Sequence, residues 1–221
     1  MIDLSQVKKR STADIAKRIV QDIPDGAYVN LGIGQPMTIS NYLPADREIV
    51  LHSENGLLGM GPLAEGDDID EELVNAGKQP VTMVLGASIF HHADSFVMIR
   101  GGHIDVCVLG AFQVSVKGDI ANWRTGDPKA TPAVGGAMDL ALGAKKLFVM
   151  MEHLTKSGQS KLVTECTYPL TALAAVDCIY TDLATIAVIP EGLLAIDWVE
   201  GLSFEALQEL SGVPLKRLLK N

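Results

Sequence analysis

Apolar positions along this chain recur in two rhythms. Between Ser11 and Ile23 the isoleucines at 15, 19 and 23 fall four apart, on one face of a helix, and Ser11 with Asp14 has the spacing of a capping box. Elsewhere short aliphatic runs bounded by turn residues predict buried strands: Ala27–Leu31, Ile49–Leu51, Val81–Leu85, Phe96–Ile99, Ile104–Gly110, Ala111–Val116, Lys146–Met151, Leu162–Thr164, Ile179–Ile189 and Leu193–Val199. Further helices are predicted from about Met37 to Leu43 behind Pro36, from Gly135-Gly136 to Ala144, and from Ser203 to Leu210, closed by Gly212; Pro169–Ala175 reads as helix or turn.

Strands alternating with helices predict an α/β fold: three layers, a mostly parallel open sheet with helices on both faces, and an antiparallel edge from the hairpin-like C-terminal third. No internal repeat and no long linker divides the chain, so residues 1–221 read as a single domain.

Glu48 to Gly61 is the stretch around which the rest is organised. The buried strand Ile49–Leu51 delivers one carboxylate, Glu54, onto an Asn55-Gly56 turn. The carboxyl end of a strand is where open α/β sheets place ligands. Gly32-Ile33-Gly34 forms a tight strand-to-helix turn but lacks the third glycine of a dinucleotide fingerprint, since position 37 is methionine. His91-His92 are neighbours, which on a strand point to opposite faces and share a metal poorly, so they read as a loop pair. Gly101-Gly102 sits between two apolar runs and reads either as a close backbone approach whose amides bind an anion or oxyanion, or as an ordinary hairpin or crossover turn. The acids Glu65, Asp67, Asp68, Asp70, Glu71 and Glu72 read as a solvated run, and Arg124–Val134 as a loop.

Composition narrows the classes of function. The chain has 221 residues, 48% hydrophobic and only 5% aromatic, and a formal charge of −9 with no basic stripe, which disfavours nucleic acid. No apolar run is long enough to span a membrane, and Met1–Arg10 lacks a secretory pattern, so a cytoplasmic location is expected. Cys107, Cys166 and Cys178 are odd in number and widely spaced, as reduced thiols are, and no metal site is expected.

Several segments together resemble the family I coenzyme A-transferases, in their β subunit or C-terminal half. They are Tyr28–Gly34, Ser53–Pro62, Asn75–Lys78, Ile99–Asp105, Gly118–Trp123, Gly135–Leu140 and Met151–His153, in order from about residue 10 to 213. Phe90–Phe96, Ala111–Gly118 and Glu165–Thr171 are most similar to members that use 3-oxoadipate. The loop Arg124–Pro132 departs from the Pro-Gly-Lys-Met type sequence of acetoacetate-using relatives.

The resemblance implies the fold shared with sugar-phosphate isomerases and an enzyme that moves CoA from succinyl-CoA to a 3-oxoacid. Glu54 would be the nucleophile, carrying CoA transiently as a glutamyl thioester, with no tightly bound cofactor. A carboxylate is already ionised near neutrality and needs no base to activate it. Gly101 and Gly102 would be the oxyanion donors. Asn55, Gly32, Gly34, His91, His92 and Arg124 are candidates for substrate binding, the last three for a distal carboxylate. Leu57, Leu58 and Met60 would keep water out. The partner implied is an α subunit, in an α2β2 assembly. Alternatives are a short-chain 3-oxoacid or acetate transferase, an acyl-CoA hydrolase, or a ligand-binding module on the same fold.

Overall fold

Period-two alternation in the central strands sorts their side chains between two layers. In the computed structural model, which describes residues 7–127, 129 and 131–218, Val106 and Val108 face one core while Cys107 and Leu109 face the other. Phe148 and Met150 divide from Leu147 and Val149 in the same way. Met1–Gln6 of the N-terminal segment and positions 128 and 130 of the 124–134 loop lie outside the described residues.

In chain order the elements are α1 (Thr12–Asp22), β1 (Tyr28–Leu31), a 3-10 helix (Gln35–Tyr42), β2 (Val50–Ser53), β3 (Leu57–Leu63), a 3-10 turn (Gly66–Asp68), β4 (Val81–Ile89), α2 (His92–Arg100), β5 (Val106–Leu109), β6 (Gln113–Ser115), β7 (Ile120–Ala121), α3 (Ala137–Gly143), β8 (Lys146–Met150), β9 (Leu162–Val163), β10 (Val176–Tyr180), β11 (Ala184–Ile189), β12 (Gly192–Trp198), α4 (Phe204–Ser211) and β13 (Leu215–Arg217). Ten strands form one sheet in the order β13-β12-β11-β10-β8-β5-β1-β2-β3-β4; β7-β6-β9 make a small second sheet. The centre, β2-β1-β5-β8-β10, is wholly parallel. Antiparallel pairs occur on both flanks, where the single expected edge was the C-terminal one: β2-β3-β4 on one side, and β10-β11-β12 on the other, with β13 added parallel to β12 at the outer edge.

Helix α1 packs Ile15, Ala16 and Ile19 on one face of the sheet; α2, α3 and α4 cover the other through Ile99, Leu140 and Leu207. Both hydrogen bonds of the Ser11/Asp14 capping box are present. Arg18 ties α1 to the C-terminal flank of the same sheet, holding Asp22 of its own helix at 2.7 Å and Asp197 of β12 at 3.1 Å; Arg10 also pairs with Asp197. Gly212, at φ 65°, closes α4 in the left-handed conformation.

Two expectations need correction, and a third is narrowed. Phe96–Ile99 is helix, not strand: His91 caps α2 with its ring nitrogen, and a four-residue apolar run cannot by itself separate a buried helix turn from a strand. The run Ile179–Ile189 is two antiparallel strands, because Thr181 Oγ1 receives the amides of Leu183 and Ala184 and turns the chain. Pro169–Ala175, read as helix or turn, is not helix but irregular bends with an isolated bridge from Ala172 to Ile120, and Ala174 is at φ 46°. Among the described residues no helix is long and apolar enough to cross a membrane.

Ser11→Ala removes the acceptor for the Asp14 amide and should lower unfolding stability by about 1 kcal/mol. Urea titration checks this as a lowered midpoint at unchanged slope.

Candidate active site

The carboxyl ends of the parallel strands converge on one cleft of about 460 Å³. Gly32 enters it from the end of β1, Glu54 from β2, Leu109 and Gly110 from β5, and Met150, Met151 and Glu152 from β8. Its remaining walls come from Ile33, Gln35 and Pro36, from Ala111, Phe112 and Asn122, from the 133–137 segment that opens α3, and from Leu140 and Lys161. Apolar groups dominate, with Glu54, Glu152 and Lys161 the charged members of the wall.

Glu54 is half-buried at the first position of the β2–β3 turn. The turn closes through the Gly56 amide, which donates to Ser53 O at 3.0 Å. Gly56, at φ 114°, leaves no room for a side chain: an added Cβ would lie 2.2 Å from Phe90 O. Burial pushes the Glu54 pKa above its ordinary value; nearby His92 and the Gly136 amide favour the charged form, and Asp139 opposes it. Asp139 is itself paired with Arg100 at 2.7 Å.

Gly136 lies directly against this carboxylate. A Cβ there would meet Glu54 Oε2 at 2.7 Å and Phe96 Cζ at 3.0 Å. The double glycine before α3 therefore lets backbone come within reach of the acid, a role its sequence alone did not suggest. Gly101 and Gly102, the expected donors, are elsewhere. Their amides are already committed to Val97 O at 2.8 Å and Ile99 O at 3.1 Å, closing α2, and neither lines the cleft.

Other expected residues divide similarly. Gly32 lines the cleft, packed so that a Cβ would strike Leu109 Cδ2 at 2.9 Å; Gly34 does not line it. Asn55 is exposed and its side-chain amide donates to Val74 O at 2.7 Å. His91 is consumed as the cap of α2, accepting from the Ala93 amide at 3.1 Å. His92 is exposed, its ring 4.9 Å from that of Phe96, near enough for its charge to act on Glu54. Arg124 is exposed and outside the cleft wall. Leu57 and Met60 are buried in the α1-side core and do not line the cleft, nor does Leu58; its apolar wall is built by the strand ends and residues 133–137.

Below Glu54 runs a buried polar chain. The Asn30 amide donates to His52 Nδ1 at 3.0 Å and to His52 O at 3.2 Å, His52 Nε2 meets Ser95 Oγ at 2.8 Å, and Ser95 Oγ donates to Ser53 O at 3.4 Å. An accepting Nδ1 makes this the neutral Nε2–H tautomer, and burial lowers the His52 pKa to about 4. Strands β1 and β2 and helix α2 are thus joined immediately beneath the carboxylate. Among the described residues no cluster of three metal-ligating side chains occurs, and the three cysteines are free.

A carboxylate at the strand ends, partly desolvated and facing a glycine amide, is suited to attack an electrophilic carbonyl. The coenzyme A transferase family model matches residues 12–200. This chain belongs to that family. It is 62% identical over 208 residues to the B subunit of 3-oxoadipate CoA-transferase from Pseudomonas putida KT2440, covering 94% of this chain and 97% of the relative. To the B subunit of succinyl-CoA:3-ketoacid coenzyme A transferase from Helicobacter pylori 26695 it is 46% identical over 195 residues, covering 88% and 93%. An apo acyl-CoA transferase from Escherichia coli O157:H7 shares the fold, with a TM-score of 0.74 at 18% identity. The match covers 96% of this chain but spans only 43% of that longer one.

The raised Glu54 pKa has a stability consequence with a definite sign. The folded chain holds this proton more tightly than the unfolded chain, whose glutamate titrates near 4.5, so stability falls as pH rises through the folded pKa. Glu54→Gln removes that loss. Its melting temperature should exceed the parent's at pH 7, with the gap narrowing to the constant effect of the substitution below pH 4, as paired thermal melts across pH will show.

Proposed function

We propose that this chain is the β half of a cytoplasmic transferase that moves CoA from succinyl-CoA to 3-oxoadipate through a glutamyl-CoA thioester on Glu54. The observation carrying the reading is the placement of Glu54: half-buried, at the carboxyl end of β2, against the Gly136 amide, in a largely apolar cleft. Glu152, the other acid of the cleft, is exposed and its carboxylate accepts from the Gln35 amide at 3.4 Å, which suits it less to the role.

The steps balance without a proton. A Glu54 oxygen adds to the succinyl thioester carbonyl and the CoA thiolate leaves, giving a mixed anhydride. The thiolate then adds to the glutamyl carbonyl and succinate leaves, so that CoA is held on Glu54. The acceptor carboxylate attacks that thioester, expels the thiolate and forms the second anhydride; the thiolate attacks the acceptor carbonyl and frees Glu54. Each addition develops an oxyanion beside the position of Glu54, where the Gly136 amide is a backbone donor that acts on this carboxylate.

The choice of 3-oxoadipate rests on the higher identity to a relative named for that acid, 62% against 46% for one named for 3-ketoacids. An α subunit follows from those relatives being named as B subunits, and we assign an α2β2 assembly. The outer edge of the sheet supports a two-part enzyme. Strand β4 exposes Val84, Leu85 and Ile89 and carries no charge, whereas free-standing proteins blunt such edges.

Treating the assembled enzyme with succinyl-CoA and then borohydride or hydroxylamine should modify the peptide holding Glu54; modification elsewhere removes it from the role. Glu54→Gln should remain folded while kcat drops by on the order of 10³-fold or more. Gly136→Ala, which drives a methyl into the carboxylate, should lower kcat by about 10²- to 10³-fold. Release of CoA from succinyl-CoA without any acceptor acid, at a rate matching transfer, would make the enzyme a hydrolase instead.

A further inference from the structure

We propose that Lys161 holds the far carboxylate of a dicarboxylic acid whose other end reacts at Glu54. The inference rests on the functional reading above and adds to it the group that recognises the substrate class. A substrate carrying two carboxylates has to enter a cleft whose wall already contributes the acids Glu54 and Glu152, in a chain of net charge −9. Repulsion has to be offset locally, and among the described residues Lys161 is the one cation of that wall. The cations nominated by sequence lie outside it: Arg124 is exposed, His91 caps a helix, and His92 stands on the exposed surface of α2.

Lys161 is set up to receive an anion. It is half-buried, yet none of the ion pairs within 4.0 Å among the described residues includes it; Lys9, Lys117 and Lys145 all have carboxylate partners. Its backbone is held on both sides, its amide donating to His153 O at 3.0 Å and its carbonyl accepting from the Val114 amide at 3.0 Å, and the next residue, Leu162, is 2% exposed. With the backbone fixed, ordering on binding is confined to the lysine side chain. Burial depresses its pKa, which the acids Glu152 and Asp182 partly oppose. A bound carboxylate would relieve the same desolvation through a charge-assisted hydrogen bond. A monocarboxylic 3-oxoacid offers the lysine nothing, so the site discriminates between acids by charge.

The test uses the assembled enzyme and compares acceptors, because in a two-step exchange through a covalent intermediate kcat/KM for the acceptor reports the second half-reaction alone. For Lys161→Met, kcat/KM for 3-oxoadipate should fall about 10- to 100-fold. The value for acetoacetate should change by less than about threefold, and Lys161→Arg should restore most of the preference. Lys161→Gln serves in place of the methionine variant if that one fails to assemble with the α subunit. Equal losses for both acids, no loss for either, or a change confined to the KM of the CoA thioester would overturn the assignment. A parent enzyme that transfers CoA to neither acid, or a fully active Glu54→Gln variant, would instead overturn the functional reading, and this inference with it.

Discussion

A carboxylate half withdrawn from water, with groups set against it that favour its charged form, is the condition on which this architecture turns. Burial alone would favour the protonated, unreactive form of Glu54. The opposing forces come from separate parts of the chain: a backbone amide at the start of α3 and the field of a histidine on α2. Asp139, whose charge would undo them, is drawn into a pair with Arg100. Neither helix could contribute unless both packed on the same face of the sheet, and they do so through Ile99, Leu140 and Ala141. Gly143 allows that approach, since a Cβ there would fall 2.3 Å from Ile99 O.

Holding the acid in place is a separate matter from holding it charged. Glu54 occupies a turn, and a turn moves unless the strand feeding it is fixed. Asn30, His52 and Ser95 fix it, all buried and linked in one run of hydrogen bonds. A polar group buried without a partner is costly, so a complete chain of this kind specifies one arrangement of β1, β2 and α2 and penalises others. Neutral His52 is essential to it. A second ring proton would point at the Asn30 amide, donor against donor, which adds to the desolvation that already holds the ring neutral.

Helix α1, the central strands, the Glu54 turn and α4 were legible because local signals and tertiary context agree there: a capping box, aliphatic runs, an Asn-Gly pair, a serine cap and a closing glycine. What stayed hidden is set by packing between distant segments. Gly101-Gly102 and Gly135-Gly136 look alike in one dimension. One closes a helix with its own amides, and the other opens a helix against a side chain some eighty positions earlier. Phe96–Ile99 has the composition of a strand and the capping context of a helix, and its burial against α3 settles the matter. Lys161 gave no signal at all, being a lone cation before a two-residue strand, and became conspicuous only when the cleft wall could be read.

On the proposed chemistry the anhydride and the thioester on Glu54 are both prone to hydrolysis, so water has to be kept from the glutamyl carbonyl between half-reactions. This chain supplies part of that barrier in Leu109, Val134 and Leu140, but Glu152 on the cleft wall is exposed, and so are Ile33 and Phe112, at 65% and 39%. An apolar wall with wet members is half of a dry site. The longer structural neighbour, of which this fold makes up 43%, shows that the same architecture occurs with more chain attached. A second half seated over the strand ends would complete the enclosure and leave the single lysine as the feature by which an entering acid is told apart from water and from acids of lower charge. On this proposal the nucleophile and the charge selection lie on one chain and the closure on the other.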